Sequence, residues 1–123
     1  MSEFNRLSGE LARALVYGGG EYTLEDIRAE IEQGTMQFWP GQHSVVVTEI
    51  LQRPRTKVLY FFLAAGDMDE VKRLYHVILE WGRAQGCTRA SFAGRYGWGR
   101  TFLTREEGWT SQLALYEKEL ANG

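Results

Sequence analysis

The sequence has little of what marks several specialised classes of protein. It has one cysteine, Cys87, which excludes a disulfide within the chain. Its two histidines, His43 and His76, lie far apart and have no Cys, Asp or Glu at a spacing typical of metal ligands, which argues against a metal site. The longest apolar run, residues 58–65, is too short to cross a bilayer. The formal net charge is −2, so the chain as a whole does not attract nucleic acid.

These absences leave a globular protein of ordinary composition. Hydrophobic residues make up 44% and charged residues 24% of the chain, which provides enough apolar material for a core and excludes extensive disorder. No linker, repeat or low-complexity segment divides the sequence. We therefore expect a single domain over residues 1–123, located in the cytoplasm, whose partner is neither a membrane nor a nucleic acid.

Apolar spacing predicts two short helices at the start of the chain. Apolar residues recur at helical intervals from Phe4 to Leu15, and three glycines at residues 18–20 end this first helix. The second helix is predicted to begin at Thr23, a favoured N-cap residue, and to end at Gly34.

The period of the pattern then changes from 3.6 to 2. This change predicts three strands, at residues 36–39, 43–51 and 57–65. The connections between them are short, so the three strands should form an antiparallel meander. The third strand is apolar almost throughout, and we expect it to be central, with both of its faces covered.

The remainder of the chain predicts a helix between two strands, then a shorter helix and a last strand. Asp67 begins the longer helix, with Glu70 three residues later in the position of a capping box. A strand follows at Thr88–Ala93, a short helix at residues 96–106, and the last strand at Trp109–Leu120. The order of elements predicts an α+β fold, with a mostly antiparallel mixed sheet, one parallel right-handed crossover and helices on both faces.

This order resembles the Gcn5-related N-acetyltransferase (GNAT) fold from the first helices to the last strand. The segment AQGCTRASFAGRYGWGRTFLTREEGWT, residues 84–110, contains the parts that are common in that family: a small-residue and glycine turn, a strand, a short helix and the pair Gly108–Trp109. The run at residues 94–98 is similar to that of a group of small phage and prophage proteins with a GNAT-like fold. The resemblance implies acetyl-CoA as the family's cofactor and, through the phage group, a location in the host cytoplasm or in the virion.

The loop that holds this cofactor in the family is degenerate here. Active members follow the central strand with Gln/Arg-x-x-Gly-x-Gly/Ala, whose backbone N–H groups bind the pyrophosphate of acetyl-CoA at a helix N-terminus. In this chain Ala65, Gly66 and Asp67 take that place, and the first turn of the helix has three carboxylates, those of Asp67, Asp69 and Glu70. Because those carboxylates occupy the positive end of the helix dipole, we expect the loop not to bind a cofactor. The family's tyrosine acid corresponds to Thr104, which does not replace a phenol.

If the chain is nevertheless an enzyme, the resemblance implies two catalytic residues. Glu49, in the second strand, is close to where some family members place a base, and Tyr96 would be a displaced acid. Each residue has a structural alternative. Glu49 would then be an ordinary exposed carboxylate of a strand, and Tyr96 would pack beside Trp98 with a hydrated hydroxyl group.

Arginine and aromatic side chains alternate around the short helix. Arg95, Trp98 and Arg100, together with Trp39 at the tip of the meander, are the candidates for an interaction surface because Arg and Trp are favoured at protein interfaces. The alternative is that the tryptophans pack: Trp98 on the sheet and Trp39 over the end of the core.

Two functions remain open at this stage. The first is a non-catalytic, GNAT-like phage protein without a cofactor, a virion or virion-assembly component that contacts other phage structural proteins or further copies of itself. The second is an acyl-CoA-dependent N-acyltransferase with an atypical pyrophosphate loop.

Overall fold

A computed structural model of the chain describes residues 2–16, 21–93, 105–110, 112 and 116–120. The chain divides into two compact units, Met1–Ala93 and Gly94–Gly123, and the helices and strands with named bounds belong to the first. The expectation of one domain over residues 1–123 stays a prediction. No helix in the described part of the chain is both long enough and apolar enough to span a membrane.

The first unit contains four helices and four strands among its described residues. In chain order they are α1 (Ser2–Arg6), α2 (Ser8–Val16), α3 (Leu24–Gln33), β1 (Gln37–Pro40), β2 (Ser44–Gln52), β3 (Lys57–Gly66), α4 (Met68–Ala84) and β4 (Arg89–Ser91). The first three predicted strands are therefore correct to within one residue at each end, and the fourth, β4, is three residues shorter than predicted. The predicted first helix is divided into α1 and α2.

The ends of α3 follow directly from the residues that flank it. The Thr23 hydroxyl accepts a hydrogen bond from the Asp26 N–H, and the Asp26 carboxylate accepts one from the Thr23 N–H, which completes a capping box. At the other end Gly34 adopts a left-handed conformation with φ of 83°, and its N–H bonds to carbonyls of the last turn. Both predicted boundaries of this helix are confirmed.

The four strands form one mixed sheet in the order β1-β2-β3-β4. The first three pair antiparallel, and β3 pairs with β4 in parallel through the crossover helix α4. The β2–β3 ladder contains a bulge: Val47 pairs with Leu63 and Thr48 pairs with Phe61, so Phe62 has no partner on β2. The predicted meander and parallel crossover are confirmed.

Each face of the sheet packs on helices and has its own core. On one face, Val45 and Val47 pack with apolar residues of α1, α2 and α3. On the other face, Val46 and Leu59 pack with Val71 and other residues of α4. The alternating valines of β2 thus serve both cores, as the period of a strand requires. The fold is an α+β sandwich of helices around a mixed sheet, and it is GNAT-like, as the sequence predicts.

Two sequence predictions need correction. Asp67 caps α4 by accepting a hydrogen bond from the Glu70 N–H, but Glu70 does not complete a capping box, because its carboxylate bonds to the β1–β2 turn instead. The predicted last strand is also wrong for its described residues, which lie outside any regular element. Tyr116 and Leu120 are 91% and 83% exposed, so the apolar alternation at these positions does not serve burial. Most of the short helix predicted at residues 96–106 lies outside the described residues, and Arg105 and Glu106 are helical.

Candidate functional site

The start of α4 is bound to the turn between β1 and β2 by one carboxylate. Glu70 Oε1 accepts a hydrogen bond from the His43 backbone N–H at 2.8 Å and another from the Ser44 hydroxyl at 2.6 Å. Ser44 is fully buried. The Ser44 hydroxyl, followed by the His43 N–H, lowers the pKa of Glu70 from its ordinary value because both donors favour the ionised form.

One backbone hydrogen bond joins the same two segments, and another closes the turn itself. The Asp67 N–H donates to the His43 carbonyl at 3.0 Å, and the Gly41 N–H donates to the Ser44 carbonyl at 2.8 Å. Gly66 has a φ of 102° and lies so close to His43 that a Cβ would overlap the His43 carbonyl oxygen. Only glycine fits this crossing of two backbones without strain.

The turn is also held from α1. The Arg6 guanidinium donates to the carbonyls of Gln42 at 2.6 Å and Gly41 at 2.7 Å, and it pairs with Glu3 within its own helix. A shallow depression of about 270 Å³ opens beside the turn. It is lined by Gly41, Gln42, Glu70, Arg73, Leu74 and Val77.

The start of α4 uses backbone donors within the chain at the position where the resemblance expects the pyrophosphate of acetyl-CoA. Two of the backbone N–H groups at the start of α4, those of Asp67 and Glu70, already donate to oxygen atoms of the chain itself. The carboxylate of Asp67 is the cap, and that of Glu70 lies in the adjoining turn, so an added anion would meet negative charge where it needs free donors. Ala65, Gly66 and Asp67 stand at the predicted position of the degenerate loop, and whether they bind a ligand stays a prediction.

Glu49 lies on the other side of the sheet, in different surroundings. It is half-buried on β2, paired across the ladder with Tyr60, and on the face that packs against α1, α2 and α3. Burial, and then the charge of Glu30 on α3, raise the pKa of Glu49 above its ordinary value. No hydrogen bond between Glu49 and a donor side chain is found among the described residues.

A tyrosine that the sequence analysis did not single out lies beside this carboxylate. Tyr22 precedes α3, packs edge-to-face on Phe62 with ring centroids 4.7 Å apart, and is half-buried. Burial, followed by the charge of Glu49, raises the pKa of the Tyr22 hydroxyl. Glu30 and Tyr22 are separated from Glu49 by 19 and 27 residues. Sequence spacing does not predict that these two residues lie near Glu49. The packing of α3 on the sheet brings them there.

Trp39 is packed rather than free. Its ring meets Trp81 of α4 edge-to-face, with centroids 5.4 Å apart. Its Nε1–H donates to the buried Thr48 hydroxyl at 3.0 Å, and that hydroxyl donates to Gln37 at 2.9 Å. This position agrees with the alternative in which Trp39 closes the end of the core, and its role at an interface stays a prediction.

The remaining sequence candidates lie outside the described residues. These are the proposed acid Tyr96 and three members of the proposed interaction surface, Arg95, Trp98 and Arg100. In the described part of the chain no group of three or more His, Cys, Asp or Glu side chains is placed to bind a metal ion.

Solved structures share this fold, although the sequence has no detectable relatives among curated proteins and matches no protein-family model. A tetramutant of the BH1408 protein from Bacillus halodurans is similar with a TM-score of 0.69 and 14% identity, over 97% of this chain and 93% of that one. The aminoglycoside acetyltransferase meta-AAC0020, from an uncultured soil metagenomic sample and in complex with sisomicin, has a TM-score of 0.61 and 11% identity, over 97% and 87%. A Pyrococcus furiosus protein assigned to the acetyl transferases has a TM-score of 0.57 and 12% identity, over 86% and 87%. At these identities the likeness shows the fold alone, and that fold is the one found in acetyltransferases.

Proposed function

We propose that the protein is an N-acyltransferase whose acceptor is a cationic amine and whose base is Glu49. The observation that carries this proposal is the position of Glu49: a half-buried carboxylate on a central strand, with a raised pKa and the charge of Glu30 nearby. Its support from outside the chain is the shared fold with an aminoglycoside acetyltransferase, a protein in complex with the polyamine sisomicin.

The chemistry follows from what an amine needs before it can be acylated. An aliphatic amine is protonated near neutral pH and is not a nucleophile until it loses that proton. The combined charge of Glu49 and Glu30 attracts the ammonium ion. The carboxylate of Glu49 accepts the proton of the bound amine, whose nitrogen is then free to attack the acyl donor. The transfer would form the amide C–N bond and break the thioester C–S bond. Acetyl-CoA as the donor, and Tyr96 as the acid that protonates the leaving thiolate, complete the proposal as sequence predictions.

The test measures acetylation of spermidine and of an aminoglycoside with acetyl-CoA as donor, in the natural protein and in Glu49→Gln. We expect turnover by the natural protein and a fall of about 100-fold or more in Glu49→Gln, the usual contribution of a general base. The matched control is Glu32→Gln, which removes one exposed carboxylate from α3 and should leave the rate unchanged. An equal rate in Glu49→Gln would overturn the assignment of the base.

One observation favours a second candidate, a non-catalytic domain that acts by contact with another protein. That observation is the closed start of α4, where Asp67 and Glu70 use the chain's own donors. The sequence resemblance adds a phage origin and a virion role, for which neither the fold nor the comparisons give support. Complete absence of acyl transfer with every amine tested, in a protein that remains folded, would favour this candidate.

A further inference from the structure

We propose that Glu70 is a latch, an internal anion that holds the β1–β2 turn against the start of α4 and keeps anionic ligands out. In the proposed function, Glu70 would control binding of the acyl donor, and any effect of Glu70 on catalysis rests on that function. Its effect on ligand binding does not.

Glu70 accepts hydrogen bonds from donors that would suit any anion. The His43 N–H and the Ser44 O–H converge on one carboxylate oxygen, Oε1, at 2.8 Å and 2.6 Å. Converging N–H and O–H groups of this kind are the usual ligands of phosphate oxygens. When Glu70 is removed, both groups become available without any change of the backbone.

The surroundings also favour negative charge at this point. Arg6 on α1 interacts electrostatically with Glu70, and the charge of His43 in the turn acts in the same direction on the carboxylate. Asp67 on the same helix opposes it. Arg73 lines the adjoining depression and is exposed, so a second cation is within the same surface. An anion that replaces Glu70 would therefore be attracted by Arg6, which is also paired with Glu3, and by Arg73, and it would be repelled by Asp67.

The latch is a local contact rather than part of a core. His43 is exposed, whereas Ser44 is buried. Among the described residues the Glu70 bonds and the backbone bond from Asp67 to His43 join the turn to the start of α4, and Arg6 of α1 holds the carbonyls of Gly41 and Gln42. Contacts of this kind open more readily than core strands do. A ligand that needs the open form binds with an affinity reduced by the fraction of molecules that are open, and removal of Glu70 removes that reduction.

The experiment measures binding of CoA and of inorganic pyrophosphate by calorimetry to the natural protein and to Glu70→Ala. We expect at least a tenfold gain in affinity for both ligands in Glu70→Ala. The matched control is Glu80→Ala, which removes the same charge from an exposed position at the other end of α4, where Glu80 pairs with Arg83. This control should bind no better than the natural protein, because long-range repulsion alone is weak and screened.

Two further measurements keep the test decisive. Hydrogen exchange of the His43 amide should become faster in Glu70→Ala, since that amide loses its acceptor. Glu70→Gln, which keeps an acceptor oxygen but loses the charge, should give a smaller gain in affinity than Glu70→Ala and serves if the alanine variant does not fold. Unchanged affinity in a folded Glu70→Ala, or equal gains in Glu70→Ala and Glu80→Ala, would overturn the latch.

The results also separate the latch from the proposed function. Tighter CoA binding by Glu70→Ala with no acetylation by either protein supports the latch and contradicts the transferase. Acetylation by the natural protein, dependent on Glu49, with no gain of affinity in Glu70→Ala supports the transferase and contradicts the latch.

Discussion

Glu70 and Glu49 are both glutamates, but their surroundings shift the pKa of the carboxylate in opposite directions. Glu70 accepts two hydrogen bonds from the β1–β2 turn, and its pKa is lowered. Glu49 is half-buried beside Glu30, and its pKa is raised by burial and by that charge. The first carboxylate is satisfied and therefore binds two segments together. The second loses water and gains a neighbouring negative charge, so its ionised form is less favourable than that of an ordinary glutamate.

The comparison shows why residue type alone does not indicate a role. Donors decide the outcome at Glu70, because the hydroxyl of Ser44 and the N–H of His43 stabilise the ionised form. Desolvation decides it at Glu49, because the packing of α3 on the sheet removes water without supplying a donor. Perturbed carboxylates of the second kind are candidates for catalysis, whereas those of the first kind are more often structural.

The largest expected effect comes from breaking the backbone crossing beneath the Glu70 contact. In Gly66→Ala the new Cβ would overlap the His43 carbonyl in a residue with φ of 102°, and we expect a loss of about 3 kcal/mol in the free energy of unfolding. The control is Gly34→Ala, which has φ of 83° but open space around it, and should lose only about 1 kcal/mol. Urea denaturation of both variants measures the difference. Equal losses in the two variants would show that the close contact between residue 66 and the His43 carbonyl does not affect the free energy of unfolding.

A smaller effect is expected from crowding the latch itself. In Gly41→Ala the Cβ would overlap both Ser44 Oγ and Glu70 Oε1, so the hydrogen bond between them must lengthen. We expect a loss of about 1–2 kcal/mol in the free energy of unfolding, as for other overpacked sites. Removal of Glu70 relieves half of this overlap, so the double variant Gly41→Ala, Glu70→Ala should lose less than the sum of the two single losses. Strict additivity would contradict the contact.

The smallest expected effect is a difference in how stability depends on pH, which should have opposite signs for the two glutamates. Because the pKa of Glu70 is lowered on folding, its stabilisation is present above the ordinary glutamate value, about 4.3, and is lost as the pH falls through the lowered pKa. Natural protein should thus exceed Glu70→Gln in Tm at neutral pH, and the gap should close in acid. His43 adds to this stabilisation when it is protonated, Arg6 adds to it throughout, and Asp67 opposes it.

Glu49 should behave in the opposite sense. Its pKa is raised on folding, so the folded state binds the proton more tightly, and the charged form destabilises the protein above the raised pKa. Glu49→Gln should therefore be the more stable protein at neutral pH, by less than about 1 kcal/mol because solvent screens a side chain that is only half-buried. The difference should disappear as the pH falls to the ordinary value. Thermal denaturation from pH 3 to pH 8 checks both signs.

Local sequence rules predict much of the fold. The start of α3 at Thr23 and its end at Gly34 depend on neighbours within four residues, and both boundaries are as predicted. The meander and the crossover follow from the change of period and the lengths of the connections. The capping box predicted at Glu70 is wrong because its carboxylate accepts hydrogen bonds from the β1–β2 turn instead of from the helix N-cap. The Ser44 hydroxyl of that turn lies 26 residues earlier in the chain.

The candidate site is less predictable for the same reason. Glu49 is identified from its strand and from the resemblance. Its neighbours Glu30 and Tyr22 belong to α3 and to the residues just before it, and no local sequence pattern predicts where α3 packs on the sheet. The alternation after Trp109 predicts a strand, yet a strand also requires a ladder partner, and the described residues of that segment do not form one.

The bulge between β2 and β3 divides the third strand into two halves of opposite phase. Leu59 and Phe61 face the core of α4, whereas Leu63 and Ala65, also odd-numbered, face the core of the first three helices. Phe62 is the residue at which the phase changes, and it shares a face with Leu63. Deleting this one residue would make Phe61 and Leu63 neighbours along the chain. Because these two already face opposite cores, β3 would alternate regularly with each half on its own core, and only the ring that Phe62 packs against Tyr22 would be lost.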